Sequence, residues 1–289
     1  MSFGSPYVTL PDFTYHRPAS LEEALALLKE HGDQAKVMGG GVGLIAFMKE
    51  RLMSPAHVID VKDVKELKAV SRAPGKGLSI GAAVSIAELL EGGALVGDYA
   101  VLGEALARVA DPMIRHRATL IGNLCEAIPW VDSPPALIAL EATVETAGPK
   151  GRRRIPVASF IRGPVDIDLN PDEMVTGVSL PDARGTKSAF EKFTGGSEFS
   201  LASVAVAVGS GGKKRDSRVV YGAVNSTPVR CAEAEREIAD GVTPASVRKA
   251  ADAASLKVEC VDDVLATAAY RRHLVRVLTT KVLRRMMGP

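Results

Sequence analysis

Apolar residues recur at the spacing of one helix face between residues 21 and 28, early in the chain. Ser20 and Glu23 have the spacing of a capping box, in which each side chain accepts a hydrogen bond from the backbone N–H of the other residue. Gly32 lies just beyond the last apolar position and is a typical helix end. The pattern therefore predicts an amphipathic helix that ends near Gly32.

Short apolar runs and helical patterns then alternate through the first two thirds of the chain. The apolar runs predict strands at residues 36–38, 57–61, 78–82, 143–146, 155–160 and 174–180. Helical patterns occupy residues 44–52, 101–109 and 136–140. The polar and basic segment GPKGRRR, at residues 148–154, predicts an exposed hairpin or loop.

The pattern changes after Pro181. Strands are predicted at residues 187–193, 201–209 and 218–225, and the Gly-, Lys- and Arg-rich segment 209–217 predicts a hairpin turn. The remaining chain is helical, with Thr243 and Pro244 opening one helix and residues 269–287 forming the last. We therefore place a domain boundary near residues 176–181.

Composition and charge exclude several classes of protein. The chain has 289 residues, a formal net charge of +2, 46% hydrophobic residues and 24% charged residues, which is ordinary for a globular protein. This balance does not favour binding to nucleic acid. No apolar run is long enough for a transmembrane segment, and no secretion signal is evident at the N-terminus. We therefore expect a cytoplasmic protein.

The three cysteines and five histidines predict no metal or redox site. Cys125, Cys231 and Cys260 are far apart and form no C-x-x-C pair, which argues against a disulfide framework, a zinc site or an iron–sulfur cluster in this chain. The histidines are scattered along the sequence and are interpreted as structural. We assign no catalytic residue and no metal ligand.

The stretch KVMGGGVGL, at residues 36–44, combines a strand, a glycine loop and the start of a helix. Glycines admit positive φ and let backbone N–H groups approach an anion, and the helix N-terminus adds a favourable field. The stretch fits a phosphate cradle, although glycine clusters also serve ordinary turns. It lacks the spacing of a Rossmann fingerprint, and no Walker lysine follows it.

A second informative stretch, IRHRATLIGNLCEAIPWVDSPPALIALEATVE, begins at residue 114. Its Thr119, Gly122 and Asn123 are predicted to lie in a turn between apolar residues. The amide of Asn123 can stabilise that turn. Asp132 stands at a loop-to-helix junction, where it can cap the helix or accept a hydrogen bond from a ribose hydroxyl.

Several motifs in order along the chain resemble the FAD-binding medium subunit of the molybdenum hydroxylases. This family includes the carbon monoxide dehydrogenase flavoprotein subunit and the flavin domain of xanthine dehydrogenase. FTYHRPASLEEALALL fits the family's opening, VMGGGVGLIAFMKERLMSPAHVIDV its first flavin loop, and the stretch from residue 114 its second loop. NPDEMVTGVSLP, FEKF and VNSTPVRCAEAE fit later landmarks, and VDDVLATAAYRRHL resembles the C-terminal signature.

The resemblance implies an α+β fold. Residues 1–177 would form a two-subdomain FAD-binding domain of the vanillyl-alcohol oxidase (PCMH) type, with subdomains at roughly 1–60 and 61–177. Residues 178–289 would form a small antiparallel sheet with a helical bundle, the C-terminal domain of the carbon monoxide dehydrogenase flavoprotein type. FAD would lie between the two subdomains.

The resemblance also implies the cofactor-binding residues. The residues that would wrap the FAD pyrophosphate are Val37, Met38, Gly39, Gly40, Gly41, Val42, Gly43 and Leu44. The second contact loop would consist of Thr119, Leu120, Ile121, Gly122 and Asn123. Asp132 would contact the cofactor, Val175 is a weaker match, and Lys192 would lie near the flavin or, alternatively, on the strand surface.

The implied function is electron transfer within a complex. A large subunit would hold the molybdenum cofactor, a small subunit would hold 2Fe-2S clusters, and the complex would be a dimer of heterotrimers. Two alternatives remain: a structural subunit that kept the fold and weakened or lost FAD binding, and a stand-alone flavin reductase. The structural alternative rests on Val42, which replaces a family Ser or Thr, and on Ile121, which replaces a glycine and resists positive φ.

Overall fold

The computed structural model describes residues 9–73, 75–196, 199–209 and 216–287. Its first part contains the strands β1 (Thr14–His16), β2 (Ala35–Met38) and β3 (His57–Asp60) and the helices α1 (Leu21–His31) and α2 (Val42–Lys49). The strands form a parallel sheet in the order β1-β3-β2. Helix α1 begins where predicted, because the Ser20 side chain accepts a hydrogen bond from the N–H of Glu23.

The second part is built on a five-stranded antiparallel sheet in the order β4-β5-β10-β6-β7. Its strands are β4 (Val70–Ala73), β5 (Gly77–Gly81), β6 (Thr143–Gly148), β7 (Gly151–Pro156) and β10 (Met174–Leu180). The helices are α3 (Ile86–Glu91), α4 (Ala100–Ala107), α5 (Pro112–Arg117), α6 (Leu120–Glu126) and α7 (Ser133–Ala139). A four-residue helix, α8 (Val157–Phe160), and a small ribbon of β8 (Ile161–Gly163) and β9 (Asp166–Ile167) precede β10.

Two predicted elements need correction. Residues 155–160, predicted as a strand, divide between the end of β7 and the helical turn α8, in which Val157 and Phe160 are both buried three residues apart. The helix predicted at residues 44–52 begins at Val42 and ends at Lys49, because Gly41 already occupies the N-cap position with φ of 78°. The basic segment before residue 155 is a hairpin strand paired with β6, as expected.

The C-terminal part combines an antiparallel sheet in the order β11-β12-β13-β14 with three helices. The strands are β11 (Lys187–Phe193), β12 (Ala202–Val208), β13 (Ser217–Gly222) and β14 (Val229–Arg230), and the helices are α9 (Ala232–Ile238), α10 (Pro244–Lys257) and α11 (Ala268–Met287). All seven residues of β12 are buried, because α7 and α11 both pack against this strand. Most of the turn predicted between β12 and β13 lies outside the described residues.

The C-terminal sheet is tied to the earlier part of the chain by a network of charges. Glu191 of β11 is buried and pairs with Arg108 from the segment after α4 and with Lys281 and Arg285 of α11. Burial raises the pKa of Glu191, but the three cations outweigh that effect and lower it below its usual value. The division at residues 177 and 178 stays a prediction; strand β10 runs across it and ends at Leu180.

Three of the histidines that are scattered along the sequence lie together in the fold. His16 at the end of β1, His31 at the end of α1 and His57 at the start of β3 bring their ring nitrogens together. The parallel pairing of β1 with β3 brings His16 next to His57, and α1, which packs on this sheet, places His31 beside them. Within the described ranges, no helix has the length and apolar character needed to cross a membrane.

The buried carboxylate of Glu173 generates the first prediction. Burial raises its pKa, but hydrogen bonds from Arg153, Thr146 and the Asn170 N–H outweigh burial and lower the pKa to about 2. We expect Glu173→Gln to lower the free energy of unfolding at pH 7 by roughly 1.5–3 kcal/mol, the usual loss for a hydrogen-bonded charge. Urea unfolding measures this loss.

Urea unfolding repeated across pH tests whether the lowered pKa of Glu173 is the cause of this loss. A carboxyl whose folded pKa lies below its ordinary 4.5 stabilises the fold fully above that value and progressively less as pH falls toward 2. The difference between wild type and Glu173→Gln should therefore shrink over that range. The exposed Glu91 provides the control, and equal losses in Glu91→Gln and Glu173→Gln would contradict the account.

Candidate functional site

The glycine loop joins the carboxyl end of β2 to the N-terminus of α2. Gly41 has φ of 78° and is the N-cap, and as a glycine it has no side chain to cap the helix. The N–H groups of Val42, Gly43 and Leu44 lie in the first turn, where no helix carbonyl is available to accept from them. These donors and the helix dipole make the loop suited to an anion.

The second predicted segment is the start of a helix rather than a turn. Thr119 is the N-cap of α6, and its Oγ1 accepts from the Gly122 N–H at 2.9 Å. Leu120, Ile121 and Gly122 are helical, and Ile121 is not among the residues with positive φ. The expected conflict at Ile121 is therefore absent, because helical φ suits a β-branched residue at this position. Its side chain is buried in the core instead.

The two segments pack directly against each other through glycines. A Cβ on Gly40 would lie 1.8 Å from the carbonyl oxygen of Arg117, and one on Gly39 would lie 3.1 Å from Thr119 Oγ1. Real Cβ atoms do not approach a backbone oxygen as closely as the first of these distances. Gly40 therefore permits a contact that brings the N-termini of α2 and α6 side by side.

A cavity of about 260 Å³ opens at this contact. It lies between the first and second parts of the chain and is lined by Gly39, Gly40, Lys62, Asp63, Lys68, Ala83, Ser85, Glu88, His116, Arg117 and Thr119. Lys62 is held by the fully buried Asp60 at 2.6 Å. A larger cavity of about 580 Å³ lies near residues 185–189 and contains none of the predicted cofactor residues.

Asp132 and Lys192 form a buried ion pair. Lys192 Nζ lies 2.6 Å from Asp132 Oδ2 and 2.7 Å from the Arg108 carbonyl oxygen, and Ser200 Oγ donates to Asp132 Oδ1 at 2.8 Å. Asp132 makes no side-chain cap bond to α7, so simple helix capping is not its role. The Lys192 side chain is only 6% exposed, so it is not a surface lysine.

Burial governs the protonation of Asp132. It raises the pKa of the carboxyl, and the Lys192 ammonium and the Ser200 hydroxyl oppose that rise. Asn123 links this pair to the glycine contact, because its Oδ1 accepts from the Ser133 hydroxyl at 2.6 Å. The bond joins the first turn of α6 to the first turn of α7, and it replaces the turn-stabilising role expected for Asn123.

The remaining predicted residues have less distinct positions. Met38 ends β2, and its sulfur is the atom nearest to a Cβ placed on Gly41, at 3.0 Å. Val37 is half-buried against the main core. Val175 is buried in β10 beside a register shift in that strand's pairing with β6. Its contact with the cofactor stays a prediction.

Glu126 is a site residue that sequence reasoning missed. It ends α6, and a Cβ on Gly43 would lie 3.0 Å from its carboxyl carbon. Burial raises the pKa of this carboxyl above its usual value. Its place seven residues after the Thr119 cap, on the same helix, was a signal available in the sequence.

Comparisons with known proteins agree with this geometry. The family model for the FAD binding domain in molybdopterin dehydrogenase matches residues 11–183, and that for the CO dehydrogenase flavoprotein C-terminal domain matches residues 192–286. The glyceraldehyde dehydrogenase medium chain of Sulfolobus acidocaldarius is 31% identical over 95% of this chain and 98% of its own. The carbon monoxide dehydrogenase medium chain of Hydrogenophaga pseudoflava is 32% identical over 94% and 96%.

A solved structure gives the same result. Carbon monoxide dehydrogenase from Hydrogenophaga pseudoflava, in a form lacking the Mo-pyranopterin moiety of its cofactor, matches with a TM-score of 0.90 and 30% identity over 97% of this chain and 99% of that chain. The chain belongs to the family of FAD-binding medium subunits of molybdenum-containing oxidoreductases. The resemblance inferred from the motifs and the α+β fold it implied are confirmed, and FAD is the cofactor of the family.

The Asp132–Lys192 pair generates the second prediction. Lys192→Met leaves a buried carboxyl without its cation, and we expect a loss of roughly 3–5 kcal/mol in the free energy of unfolding. Adding Asp132→Asn should restore part of that loss, because the second change removes the unpaired charge. Denaturant unfolding of both variants tests this, with the exposed Lys187 of the same strand as the matched control. A loss of stability in Lys187→Met equal to that in Lys192→Met would contradict a stabilising role for the buried Asp132–Lys192 ion pair.

Proposed function

We propose that this chain is the FAD-binding electron-transfer subunit of a molybdenum hydroxylase complex. Its partners would be a large subunit with the molybdenum cofactor and a small subunit with 2Fe-2S clusters, assembled as a dimer of heterotrimers. The proposal is carried by the two helix N-termini that meet at Gly40, in a chain whose relatives are medium chains of such enzymes. A cytoplasmic location remains a prediction.

The residues around Gly40 fit the cofactor of the family. A pyrophosphate needs several N–H donors and close backbone approach. Val42, Gly43 and Leu44 supply donors from α2, and a Cβ at Gly39 or Gly40 would fill the space between the two segments. FAD, when bound, supplies the redox chemistry between the iron–sulfur partner and an external acceptor. The chain would hold the pyrophosphate and position the cofactor.

Asp132, Lys192 and Asn123 would act at the other end of the cofactor. Lys192 is fixed by Asp132 and by the Arg108 carbonyl, so its ammonium has a defined position. Asn123 anchors α6 to the start of α7, next to Asp132. We assign these residues to positioning of the flavin portion, with the Asp132–Lys192 pair setting the local charge.

The competing function is a structural subunit with weak or no FAD binding. Val42 and Ile121 suggested it, because each replaces a residue of the family's flavin loops. Val42 is the first helical residue of α2 and keeps its backbone N–H. Ile121 is helical, and its side chain points into the core. Both replacements leave the backbone donors in place, which favours the FAD-binding function.

Visible absorption of the purified chain, followed by release and identification of any flavin, tests the proposed function. We expect close to one FAD per chain, either as purified or after incubation with excess FAD. Absence of flavin under both conditions, in the isolated chain and in a preparation that contains its partner subunits, would support the structural alternative.

The contact at Gly40 generates the third prediction. Gly40→Ala places a methyl group against the Arg117 carbonyl, so the two segments must separate. We expect at least a tenfold weaker FAD affinity, equivalent to about 1.4 kcal/mol, measured by fluorescence titration. Gly163→Ala is the control, because a Cβ there has no neighbour closer than 3.8 Å. Unchanged affinity in Gly40→Ala would contradict the cradle.

Glu126 generates the fourth prediction. Burial raises its pKa, so the folded chain holds the proton above the ordinary 4.5 and loses stability as pH rises beyond that value. Once ionised, the carboxylate would also repel a pyrophosphate at Gly43. We expect Glu126→Gln to bind FAD about fivefold more tightly at pH 8, roughly 1 kcal/mol, with a smaller gain at pH 5.

Titration of FAD at both pH values measures this effect. The exposed Glu237 of α9 provides the control for a general change in net charge. A gain that is independent of pH, or one shared by Glu237→Gln, would contradict repulsion by Glu126.

A further inference from the structure

Three histidines from separate elements converge on one side of the first sheet. In the parallel pair of β1 and β3, Thr14 is the register partner of His57. His16 follows Thr14 by two residues and therefore faces the same side of the sheet as His57. His31 is the last residue of α1, which packs on this sheet.

Their donor atoms are close enough to share one ion. His16 Nε2 lies 3.0 Å from His57 Nδ1, and one ring nitrogen of each of the three histidines lies within 4.8 Å of the others. Two nitrogen ligands of a tetrahedral zinc, each about 2.05 Å from the metal, are separated by roughly 3.4 Å. Small ring rotations therefore bring the three nitrogens to ligand distance.

The surroundings of the cluster are compatible with an ion. All three histidines are partly accessible, so an ion can reach them from solvent. The rings of His31 and His57 stack with their centroids 3.7 Å apart. One ring must therefore tilt before a nitrogen lone pair of each can point at the same ion. The Glu30 carboxylate lies 4.0 Å from His31 Nε2, where it or a water molecule can complete the coordination.

The cluster is separate from the glycine loop. His57 starts β3 and is paired with Ala35, the first residue of β2. The glycine loop follows Met38, at the opposite end of β2. An ion at the histidines would therefore act on the first sheet and not on an anion bound at Gly40.

We propose that His16, His31 and His57 form a binding site for a zinc ion that cross-links β1, α1 and β3. Neutral imidazole is a preferred zinc ligand, and three such ligands leave one coordination position for Glu30 or water. The ion replaces the present hydrogen bond between His16 and His57. Because the ligands come from three elements, its binding stabilises the first sheet together with the helix that covers it.

The test uses untagged, metal-free full-length chain. Isothermal titration with Zn²⁺ at pH 7.5 should give one equivalent per chain, and zinc should raise the thermal unfolding midpoint. The affinity should fall at pH 5.5, because protonated imidazole cannot ligate a metal. His31→Asn should weaken binding at least about tenfold, since even the loss of an outer partner costs about 10–100-fold. His273→Asn, an exposed histidine of α11, should bind as wild type does.

Cobalt gives a readout that does not depend on the folding of a variant. Co²⁺ added to the wild-type chain should give the intense visible bands of a tetrahedral site, and Zn²⁺ should abolish them. Retention of FAD binding by His31→Asn would show that the loss of zinc is local. Absence of zinc binding, weak octahedral cobalt bands, or full-affinity binding by His31→Asn would each overturn the proposal.

Discussion

The close contact between Gly40 and the backbone carbonyl of Arg117 is the constraint on which the candidate site depends. Because Gly40 has no side chain, the loop after β2 can lie directly on the segment before α6. Two helices then present their N-termini at one place, beside a cavity that Gly39, Gly40 and Thr119 help to line. The candidate anion site thus depends on this backbone packing.

Much of this arrangement could be predicted from the sequence. Ser20 with Glu23 predicted the start of α1, and the glycine stretch at residues 36–44 predicted a strand, a loop and a helix in the right order. These features depend on neighbours in the chain, for which periodicity and capping rules are reliable. The ordered motifs then identified the family, which the comparisons confirmed.

The features that the sequence did not predict depend on contacts between distant residues. Lys192 and Ser200 both contact Asp132, although they follow it in the chain by 60 and 68 residues. No local sequence pattern predicts contacts between residues so far apart. His16 meets His57 because β1 pairs with β3, and His31 joins them because α1 packs on that sheet. Thr119 was expected in a turn because it stands with Gly122 and Asn123 between apolar residues, and only the backbone geometry reveals it as a helix cap. Ile121 was interpreted as an obstacle because it replaces a glycine of the family loop.

The most direct test of the central claim is hydrogen–deuterium exchange of the backbone amides with and without FAD. We expect FAD to slow exchange in peptides covering residues 39–44 and 119–123 together, because both segments contribute to one cradle. Peptides of α10, far from the glycine loop in the fold, should exchange at the same rate in both conditions. Protection of only one segment, or of neither, would contradict a cradle built from the two helix N-termini.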